Sequence, residues 1–455
     1  RGPWTSGGIE FNFGLIGHAP STSTPVDYTI RVNEDSSVSC IVGTMDLPSR
    51  TFWTVEIRLP ANKAYFETRS AWYNHTSIPQ SYYSWMNAAA AAGKDLEFYY
   101  PGNLYLDHDG QANAWPFDKK GRNLSKYTDN AFGNDKSYHI VGIYKSFFGG
   151  YYHFADFGFG HWSLYDEMPG KKLWLWSLAR SGGIWEDLLT DYDGQYIEFQ
   201  SGRTFNQYQP SAYIKTPITQ MGFSPQTADQ WTDIWFPVKK TRGITDVSPY
   251  GILHVVKGKD NYEIRINALS YARGKLIVST PSKILLSQEL EMKPMEVFIT
   301  DVSTEMDSIT DIRVEGMDLE YSSLTSTELK RPFIRSIKTD EQSPSYFYQA
   351  GMEAMKSRNY ANAKNHFLAC LARDPMHIPA MEALAMFYIR RCDYDSALAF
   401  VNRALQIDTY HPGVNYCAGL IYQAKNDYVN ALESFGWSAR AMEYRASSYE
   451  QMAAI

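Results

Sequence analysis

The sequence predicts a multidomain β + α protein, with a large antiparallel β-sandwich, a small β module and a C-terminal array of helical repeats. Three observations support this fold class. Equivalent residues recur every 34 positions near the C-terminus, short alternating segments fill the first half, and a second alternating region lies between them. The predicted boundaries are 1–240 for the sandwich, 241–323 for the β module, 324–343 for a linker and 344–455 for the repeats.

Length, charge and cysteine usage exclude several classes of protein. A chain of 455 residues is long enough for two to four domains. The net charge of -7, with acids and bases interspersed, provides no basic stripe for nucleic acid, and no apolar run is long enough to span a membrane. The four cysteines form no CxxC pair, so neither a metal site nor a disulfide framework is predicted, and no cofactor is expected.

The helical repeats are predicted by residues spaced 34 apart. Tyr360, Tyr394 and Tyr428 share this spacing, and the small residues Gly351 and Gly419 lie where paired helices must approach closely. Further sets follow the same period: Ala363, Ala397 and Ala431, and Phe367, Val401 and Phe435. Such a period predicts α-helical tetratricopeptide repeats, which usually present a groove to a protein partner.

Alternation of apolar and polar residues predicts strands in both β regions. In the module, Tyr262, Ile264 and Ile266 alternate with polar residues, which favours a small antiparallel sheet. In the first 240 residues, short alternating segments are separated by turn residues, and the only helix expected lies around Trp85–Ala92. The absence of crossover helices disfavours a parallel α/β fold.

Glu198 is the principal candidate for acid–base chemistry. It lies on a predicted strand after the Asp193–Gly194 turn, and a period of two places it on one face with Tyr196 and Gln200. A carboxyl group half-buried among aromatic residues has a raised pKa and can act as an acid or base near neutrality. The alternative is an ordinary glutamate on a solvated face.

Two histidines and several acids precede this strand. His153, Asp156 and His161 lie in a glycine-bounded aromatic run, and a histidine beside a carboxylate can serve as an acid or base. The alternative for each histidine is a structural hydrogen bond. Asp191 and Asp193 are better explained by a turn than by calcium, because further acidic ligands are lacking.

The segment 1–18 combines groups suited to hydroxyl recognition. Arg1 and Glu10 can form paired hydrogen bonds with vicinal hydroxyls, while Trp4 and His18 add an aromatic face and a polar ring. No Lys-Ser/Thr follows the glycines, which argues against a phosphate-binding loop. Two further polar–aromatic clusters, Trp85 with Asn87 and Asp107 with His108, are interpreted as loop packing.

Four motifs in order resemble a known family. They are RGPWTSGGIEFNFGLIGH, FFGGYYHFADFGFGHW, MPGKKLWLW and LLTDYDGQYIEFQSGRTFNQ. Together they are similar to an uncharacterised domain family of the galactose-mutarotase-like superfamily that is commonly fused to tetratricopeptide repeats. The resemblance covers roughly residues 1–240 and implies a β-supersandwich with a sugar-binding cleft, some of whose N-terminal strands are expected to lie outside this sequence.

The resemblance also implies roles for individual residues. In the aldose epimerases of the superfamily, a glutamate on a strand removes the anomeric hydroxyl proton, and a histidine protonates the ring oxygen. Glu198 is similar to that base, and His153 or His161 to that acid. The expected catalytic residues are therefore Glu198, His153, His161 and Asp156, and the expected substrate-binding residues are Arg1, Trp4, Glu10, His18, Trp162, Tyr196, Gln200 and Gln207.

These features predict a carbohydrate-active protein that binds and processes a glycan or sugar, in the manner of a glycoside hydrolase or an epimerase. Hydrolysis would need a second carboxylate, for which Asp156, Asp191 and Glu10 are candidates. One alternative is a non-catalytic carbohydrate-binding module with a repeat tail for protein docking, and another is a scaffold that acts only through its repeats. The expected partners are a carbohydrate and a protein, and the resemblance implies secretion or a periplasmic location, with a cytoplasmic one left open.

Overall fold

The computed structural model describes residues 8–14, 17–108, 110–176, 180–190, 193–206, 221–303, 309–333 and 340–455. Short 3-10 helices lie at Pro20–Ser23, Tyr127–Asn130 and Arg180–Gly182, and one short α-helix, α1, at Ile184–Leu189. The strands of the first part are β1 Ile9–Phe13, β2 Asp27–Val32, β3 Val38–Asp46, β4 Thr51–Leu59, β5 Phe66–Asn74, β6 Gln80–Tyr82, β7 Ser84–Ala91, β8 Leu96–Tyr99, β9 Leu104–Leu106, β10 Ala112–Ala114, β11 Lys136–Val141, β12 Phe147–Tyr152, β13 Phe157–Trp162, β14 Gly170–Leu175, β15 Tyr196–Gly202, β16 Met221–Phe223 and β17 Thr227–Lys239.

These strands form a large antiparallel sandwich. One sheet has seven strands in the order β1-β7-β15-β14-β11-β9-β10, and the other has eight in the order β2-β3-β4-β5-β17-β13-β12-β8. Aromatic side chains from the inner faces meet between the sheets: Phe13 stacks on Trp53 at 4.8 Å, and Phe199 meets Trp235 at 5.7 Å between ring centroids. The predicted antiparallel sandwich is therefore confirmed.

The helix expected around Trp85–Ala92 is wrong. These residues form β7, which pairs with β1 on one side and β15 on the other. Alanine favours helices, but the preference amounts to less than about 1 kcal/mol per residue over most other residues. Two ladders of backbone hydrogen bonds and the burial of Met86 and Ala88 in the core outweigh it.

The small β module follows the sandwich directly. Its strands are β18 Asp246–Ser248, β19 Gly251–Lys257, β20 Asn261–Ala268, β21 Ala272–Ser279, β22 Ile284–Met292, β23 Val297–Ser303, β24 Asp311–Glu315 and β25 Leu319–Ser322. They form two four-stranded antiparallel sheets, β18-β19-β20-β23 and β22-β21-β24-β25. The predicted alternation is confirmed, because Tyr262, Ile264 and Ile266 are all buried in a core shared by both sheets.

The C-terminal part is an array of paired helices. They are α2 Pro344–Lys356, α3 Tyr360–Arg373, α4 Ile378–Arg390, α5 Tyr394–Leu405, α6 Pro412–Ala424, α7 Tyr428–Ser438 and α8 Met442–Ala453. Asn359, Asp393 and Asp427 cap α3, α5 and α7 by accepting a hydrogen bond from the backbone three residues later. The predicted helical repeats are therefore confirmed, and no described helix is both long and apolar enough to cross a membrane.

Glycines at the repeat positions allow the helices of a pair to approach closely. A Cβ atom at Gly419 in α6 would lie 2.5 Å from ring atoms of Phe435 in α7, and one at Gly351 in α2 would lie 2.4 Å from Phe367 in α3. No real Cβ tolerates such a distance, so the aromatic ring fills the space that the missing side chain leaves. This explains why the small residue and the aromatic residue share the period.

A pair of glycine substitutions tests this packing. We expect Gly419→Ala to destabilise the repeats by about 1–3 kcal/mol, although alanine is the better helix former, because the methyl group overpacks the Phe435 ring. Gly436→Ala is the matched control: it lies in α7 with nothing within 4 Å of its Cβ position. The control should raise stability by roughly 0.5–1 kcal/mol. Thermal denaturation of both variants measures the two effects. A change in stability of the same sign in both variants would contradict the close-packing argument.

Candidate functional site

A row of polar side chains crosses the seven-stranded sheet. The strand registers pair Glu10 with Asn87, Asn87 with Gln200, Gln200 with Lys172, and Lys172 with His139. Directly opposed residues of antiparallel strands point to the same face. The alternate residues of these strands, including Met86, Leu173, Ile140 and Phe199, lie in the sandwich core. The polar row therefore lies on the outer face of the sheet.

Glu198 and three tryptophans lie beside this row. Glu198 is opposite Trp174 in β14, two residues along the strand from Gln200. The ammonium group of Lys172 lies 5.5 Å from the Trp85 ring centroid and 5.0 Å from that of Trp174. The Trp176 ring follows at 5.2 Å from Trp174. A cation held between indole faces is stabilised by their negative π surfaces, so the row and the tryptophans form one cleft.

Burial shifts the pKa values of the two main titratable groups towards each other, and their mutual attraction opposes both shifts. Glu198 is 8% exposed, and removal from water raises the pKa of its carboxyl group, an effect that nearby Lys172 partly offsets. Burial also lowers the pKa of the Lys172 ammonium to about 7, and the charge of Glu198 opposes that shift. The pKa of Glu198 is therefore raised and that of Lys172 lowered, and shifts in these directions are common among groups used in acid–base chemistry.

Amide groups hold the Glu198 carboxylate in place. Asn87 Nδ2 donates to Glu198 Oε2 over 3.0 Å, and Gln200 Nε2 donates to the same oxygen over 2.9 Å. These two bonds favour the charged carboxylate, but burial has the larger effect on its pKa. They also fix the orientation of both amides, because each NH2 group faces the carboxylate and each carbonyl oxygen faces away.

His139 enters the cleft from β11 as a neutral ring. Its Nδ1 lies 2.9 Å from the carbonyl oxygen of Leu106, and burial, together with Lys172 and His108, lowers the pKa of the ring well below its ordinary value. The hydrogen bond to a carbonyl places the proton on Nδ1, which leaves Nε2 as an acceptor. The His108 ring packs at 5.3 Å from His139 and 5.6 Å from Trp174.

The N-terminal strand closes the opposite end of the row. His18 Nδ1 lies 2.7 Å from Glu10 Oε1, and the His18 ring meets the edge of Trp85 at 5.4 Å. Trp85 Nε1 donates to the carbonyl oxygen of Gly17 over 3.1 Å. These contacts fold the segment after β1 back over Trp85, so that Glu10 is 7% exposed.

Several buried polar atoms of the cleft lack a hydrogen-bond partner among the described residues. They are the acceptors Glu10 Oε2, Asn87 Oδ1 and Gln200 Oε1 and the donors Trp174 Nε1 and Trp176 Nε1. A buried polar atom left unpaired costs about 1–3 kcal/mol, a cost that a hydrogen bond to a bound water or ligand would remove. A small cavity of about 10 Å³ lies beside the row and borders Trp85, His139, Lys172 and Gln200.

The structure brings five of the predicted site residues together: Glu198, Tyr196, Gln200, Glu10 and His18. Tyr196 shares the Glu198 face of β15 and is opposite Ala91 in β7. Arg1, Trp4, Gln207 and Asp191 lie outside the described residues.

His161 does not face Glu198. It lies in the sandwich core, where its Nε2 is 2.5 Å from Asp233 Oδ1 and its ring stacks on Phe148 at 4.5 Å. The same Asp233 oxygen accepts from Ser201 Oγ, and Ser201 is on the opposite face of β15 from Glu198. The thickness of a sheet therefore separates His161 from Glu198, and a role as its proton-transfer partner is not compatible with this geometry.

His153, Asp156 and Trp162 belong to the eight-stranded sheet and also lie away from Glu198. His153 is exposed at the turn between β12 and β13, where its Nε2 lies 2.8 Å from Glu97 Oε2. Asp156, in the same turn, accepts a hydrogen bond from the Tyr151 hydroxyl. Trp162 packs in the cluster that joins the sandwich to the β module. Their proximity in sequence reflects a hairpin, not a site.

Sequence reasoning missed Lys172, His139 and the tryptophans of β14. The signal was present, because Lys172, Trp174 and Trp176 alternate with Leu173 and Leu175, as expected of a strand with one apolar face. The loop-packing interpretation of Trp85 and Asn87 is also wrong, since both lie on a central strand. Among the described residues, no group of three or more His, Cys, Asp or Glu is placed to hold a metal ion.

Because the Lys172 ammonium is buried, we expect the Lys172→Met variant to be more stable than wild type by an amount that depends on pH. The folded pKa of about 7 lies below the ordinary 10.5, so the unfolded chain binds more protons between these values and wild-type stability rises with pH across that window. The variant should therefore be more stable at pH 7 and below, by roughly 2–4 kcal/mol, and its advantage should shrink towards pH 10.5.

Urea denaturation at several pH values across that window measures this difference. Lys283→Met, at an exposed position between β21 and β22, is the control and should show no pH-dependent gain. A Lys172→Met advantage that stays constant with pH would show that the ammonium is not the destabilising group.

Comparisons with known proteins agree with this organisation. A family model described as a domain of unknown function, DUF5107, matches residues 1–238, and a model of the TT21 fifth ARM repeats domain matches residues 349–455. The predicted combination of an uncharacterised domain family with helical repeats is confirmed.

Three solved structures match this chain at low sequence identity. A TPR-domain containing protein from Parabacteroides distasonis is 17% identical, with 98% of this chain and 71% of that chain covered and a TM-score of 0.45. A galactose mutarotase-like protein from Clostridium acetobutylicum is 9% identical over 51% of this chain and 79% of that chain, with a TM-score of 0.38. The Slr1438 protein from Synechocystis is 10% identical over 51% of this chain and 78% of that chain, with a TM-score of 0.37. Over more than half of its length, the chain belongs to the DUF5107 family.

Proposed function

We propose that this chain binds a carbohydrate in the cleft on the seven-stranded sheet and processes it by acid–base chemistry through Glu198. The observation that carries the proposal is a buried carboxylate near a buried ammonium that lies over tryptophan rings. Removal from water shifts the pKa values of Glu198 and Lys172 in opposite senses, so each lies nearer to neutrality. Such a pair is expensive to bury and is typical of a reactive site.

The surroundings of this pair suit a sugar. Trp174 and Trp176 are partly exposed and offer flat apolar surfaces for the C–H face of a pyranose ring. The unpaired atoms comprise both acceptors, such as Gln200 Oε1, and donors, such as Trp176 Nε1. A sugar hydroxyl both donates and accepts, so one ligand can satisfy both kinds.

Ring opening of a reducing sugar fits these groups better than glycoside hydrolysis. The Glu198 carboxylate takes the proton of the anomeric hydroxyl, the bond between C1 and the ring oxygen breaks, and the Lys172 ammonium protonates that oxygen. Reversal after rotation about C1–C2 gives the other anomer and restores both groups. His139 borders the cleft as a neutral ring whose Nδ1 proton is held by the carbonyl oxygen of Leu106.

Hydrolysis requires a second carboxylate across the scissile bond. Asp156 is part of the other sheet and cannot serve. Glu10 faces the same cleft, but its carboxylate is paired with His18 and its strand is separated from β15 by β7. Two strand spacings amount to about 10 Å, so the backbones lie far apart for a nucleophilic pair.

Polarimetry tests the reaction directly. Purified chain should accelerate the mutarotation of α-D-glucose or α-D-galactose, and Glu198→Gln should lower the rate by about 100-fold or more while keeping the fold, because it removes the base. The matched control is Glu289→Gln, an 80% exposed glutamate on β22. Activity retained in Glu198→Gln would overturn the assignment of the base.

The second candidate is a carbohydrate-binding module without turnover. It is favoured by the two amides that donate to Glu198, because they hold its carboxylate as a fixed acceptor for a hydroxyl. A glycan array separates the candidates: binding that Trp174→Ala abolishes, with no mutarotation or product release by the wild type, would support the module and contradict the enzyme. A chain that neither binds nor converts any sugar would contradict both.

A further inference from the structure

The repeat helices are packed against a short segment of the sandwich, residues 77–81 (Ser-Ile-Pro-Gln-Ser), which we call the SIPQS segment. It connects β5 to β6 and includes the first two residues of β6. The Tyr416 hydroxyl donates to the carbonyl oxygen of Ser77 over 2.8 Å, and Ser81 Oγ donates to the carbonyl oxygen of Lys356 over 2.5 Å. The Ile78 side chain packs against the apolar core of the repeats.

These contacts lie on the inner side of the array. The first helices of successive pairs touch one another, α2 with α4, α4 with α6 and α6 with α8, and no comparable contact joins α3 with α5 or α5 with α7 among the described residues. Helices that approach each other along a curved stack line its concave side, where repeat proteins bind extended peptides. The SIPQS segment therefore occupies the position of a peptide ligand.

The sandwich holds the segment in its bound shape. Asn74, which is fully buried, donates to the carbonyl oxygens of Ile78, Phe223 and Ser224, and its own oxygen accepts from the backbone and hydroxyl of Thr76. A segment ordered before it docks loses little conformational entropy on binding. The covalent connection to the repeats adds an effective concentration on the order of millimolar for a flexible linker.

The electrostatic match at the end of the segment is incomplete. Arg390 Nη1 donates to the Gln80 amide oxygen over a long 3.4 Å, while its Nε is buried without a hydrogen-bond partner among the described residues. Arg358 lies nearby, and its closest described carboxylate oxygen is that of Asp46 at 3.7 Å. The Arg390 guanidinium thus faces a neutral amide, although arginine binds carboxylates about twice as strongly as neutral acceptors.

We propose that the concave groove of the repeats recognises an extended peptide in which a branched apolar residue is followed two positions later by an acidic residue, and that the SIPQS segment fills this groove as a built-in, weaker ligand. Ile78 takes the apolar position and Gln80 stands where the acidic residue of a partner would lie. The carboxylate of a competing peptide forms an ion pair with Arg390, whereas Gln80 offers only a long hydrogen bond from a neutral amide oxygen. This inference does not depend on the reaction proposed for the cleft.

Displacement of the SIPQS segment from the groove would also affect the cleft on the seven-stranded sheet. β6 is followed after one residue by β7, which carries Trp85 and Asn87. Tyr82, the last residue of β6, is bonded to Arg203 directly after β15. Binding of a peptide in the groove therefore acts on the two strands that hold the Glu198 surroundings.

Hydrogen exchange on the full chain tests the proposal in two directions. Gln80→Glu should slow exchange in residues 77–82 and in the first turns of α6 by about tenfold, since it supplies the missing carboxylate, and Ile78→Asp should accelerate exchange there by at least about tenfold. Ile284→Asp, at a 63% exposed position in the β module, is the control and should change neither region. Unchanged exchange in Gln80→Glu would overturn the proposal even if Ile78→Asp fails to fold.

Fluorescence anisotropy then tests the partner chemistry. The probes are labelled peptides with the sequence of residues 74–82, one with glutamine and one with glutamate at the position of Gln80. The glutamate peptide should bind the Ile78→Asp chain at least about tenfold more tightly than it binds wild type, and more tightly than the glutamine peptide, with a preference that salt weakens. Equal binding of both peptides to both chains would overturn the assignment of the groove.

Discussion

The register between β15 and its two neighbours is the constraint on which the cleft depends. It aligns Asn87, Gln200 and Lys172 across three adjacent strands and places Glu198 opposite Trp174. A shift by one residue would exchange Glu198 for Phe199 and turn the carboxylate into the apolar core. The core side of the same strands prevents this, because Ile197, Leu173 and Met86 are buried between the sheets. Packing of the apolar face thus determines which polar side chains meet on the cleft face.

The burial of Lys172 and Glu198 in this cleft lowers the stability of the folded protein. Lys172 is 7% exposed and Glu198 8%, so both side chains are largely removed from water on the face of the sheet. Their mutual attraction offsets only part of the desolvation, which is the usual outcome for buried ions. The sandwich can offset this cost because its inner surface, on the other face of the sheet, is filled by large aromatic side chains such as Trp72 and Phe148.

Local patterns could be predicted from the sequence, and long-range placement could not. The repeats could be predicted because the contacts that define them lie within a helix pair. Gly419 and Phe435, for example, are in contact and are also close in sequence. The face of Glu198 followed from the period of two in its strand. The partners of Glu198 did not, because Lys172 and His139 reach it through sheet order, whereas His161, which is closer to Glu198 in sequence than His139 is, lies on the far side of the sheet. Spacing along the chain carries no information about which sheet a strand joins.

The polar row draws one side chain from each of five strands, beginning at Glu10 and including Gln200. No fragment of the sandwich contains these groups in contact, so a ligand of the cleft has nothing to bind until the sheet is complete. Its binding free energy is then added in full to the cooperative unfolding of the sandwich, about 2.7 kcal/mol at a concentration of 100 times Kd. Candidate sugars can therefore be ranked by the rise in melting temperature they cause, in a screen that needs no knowledge of the reaction.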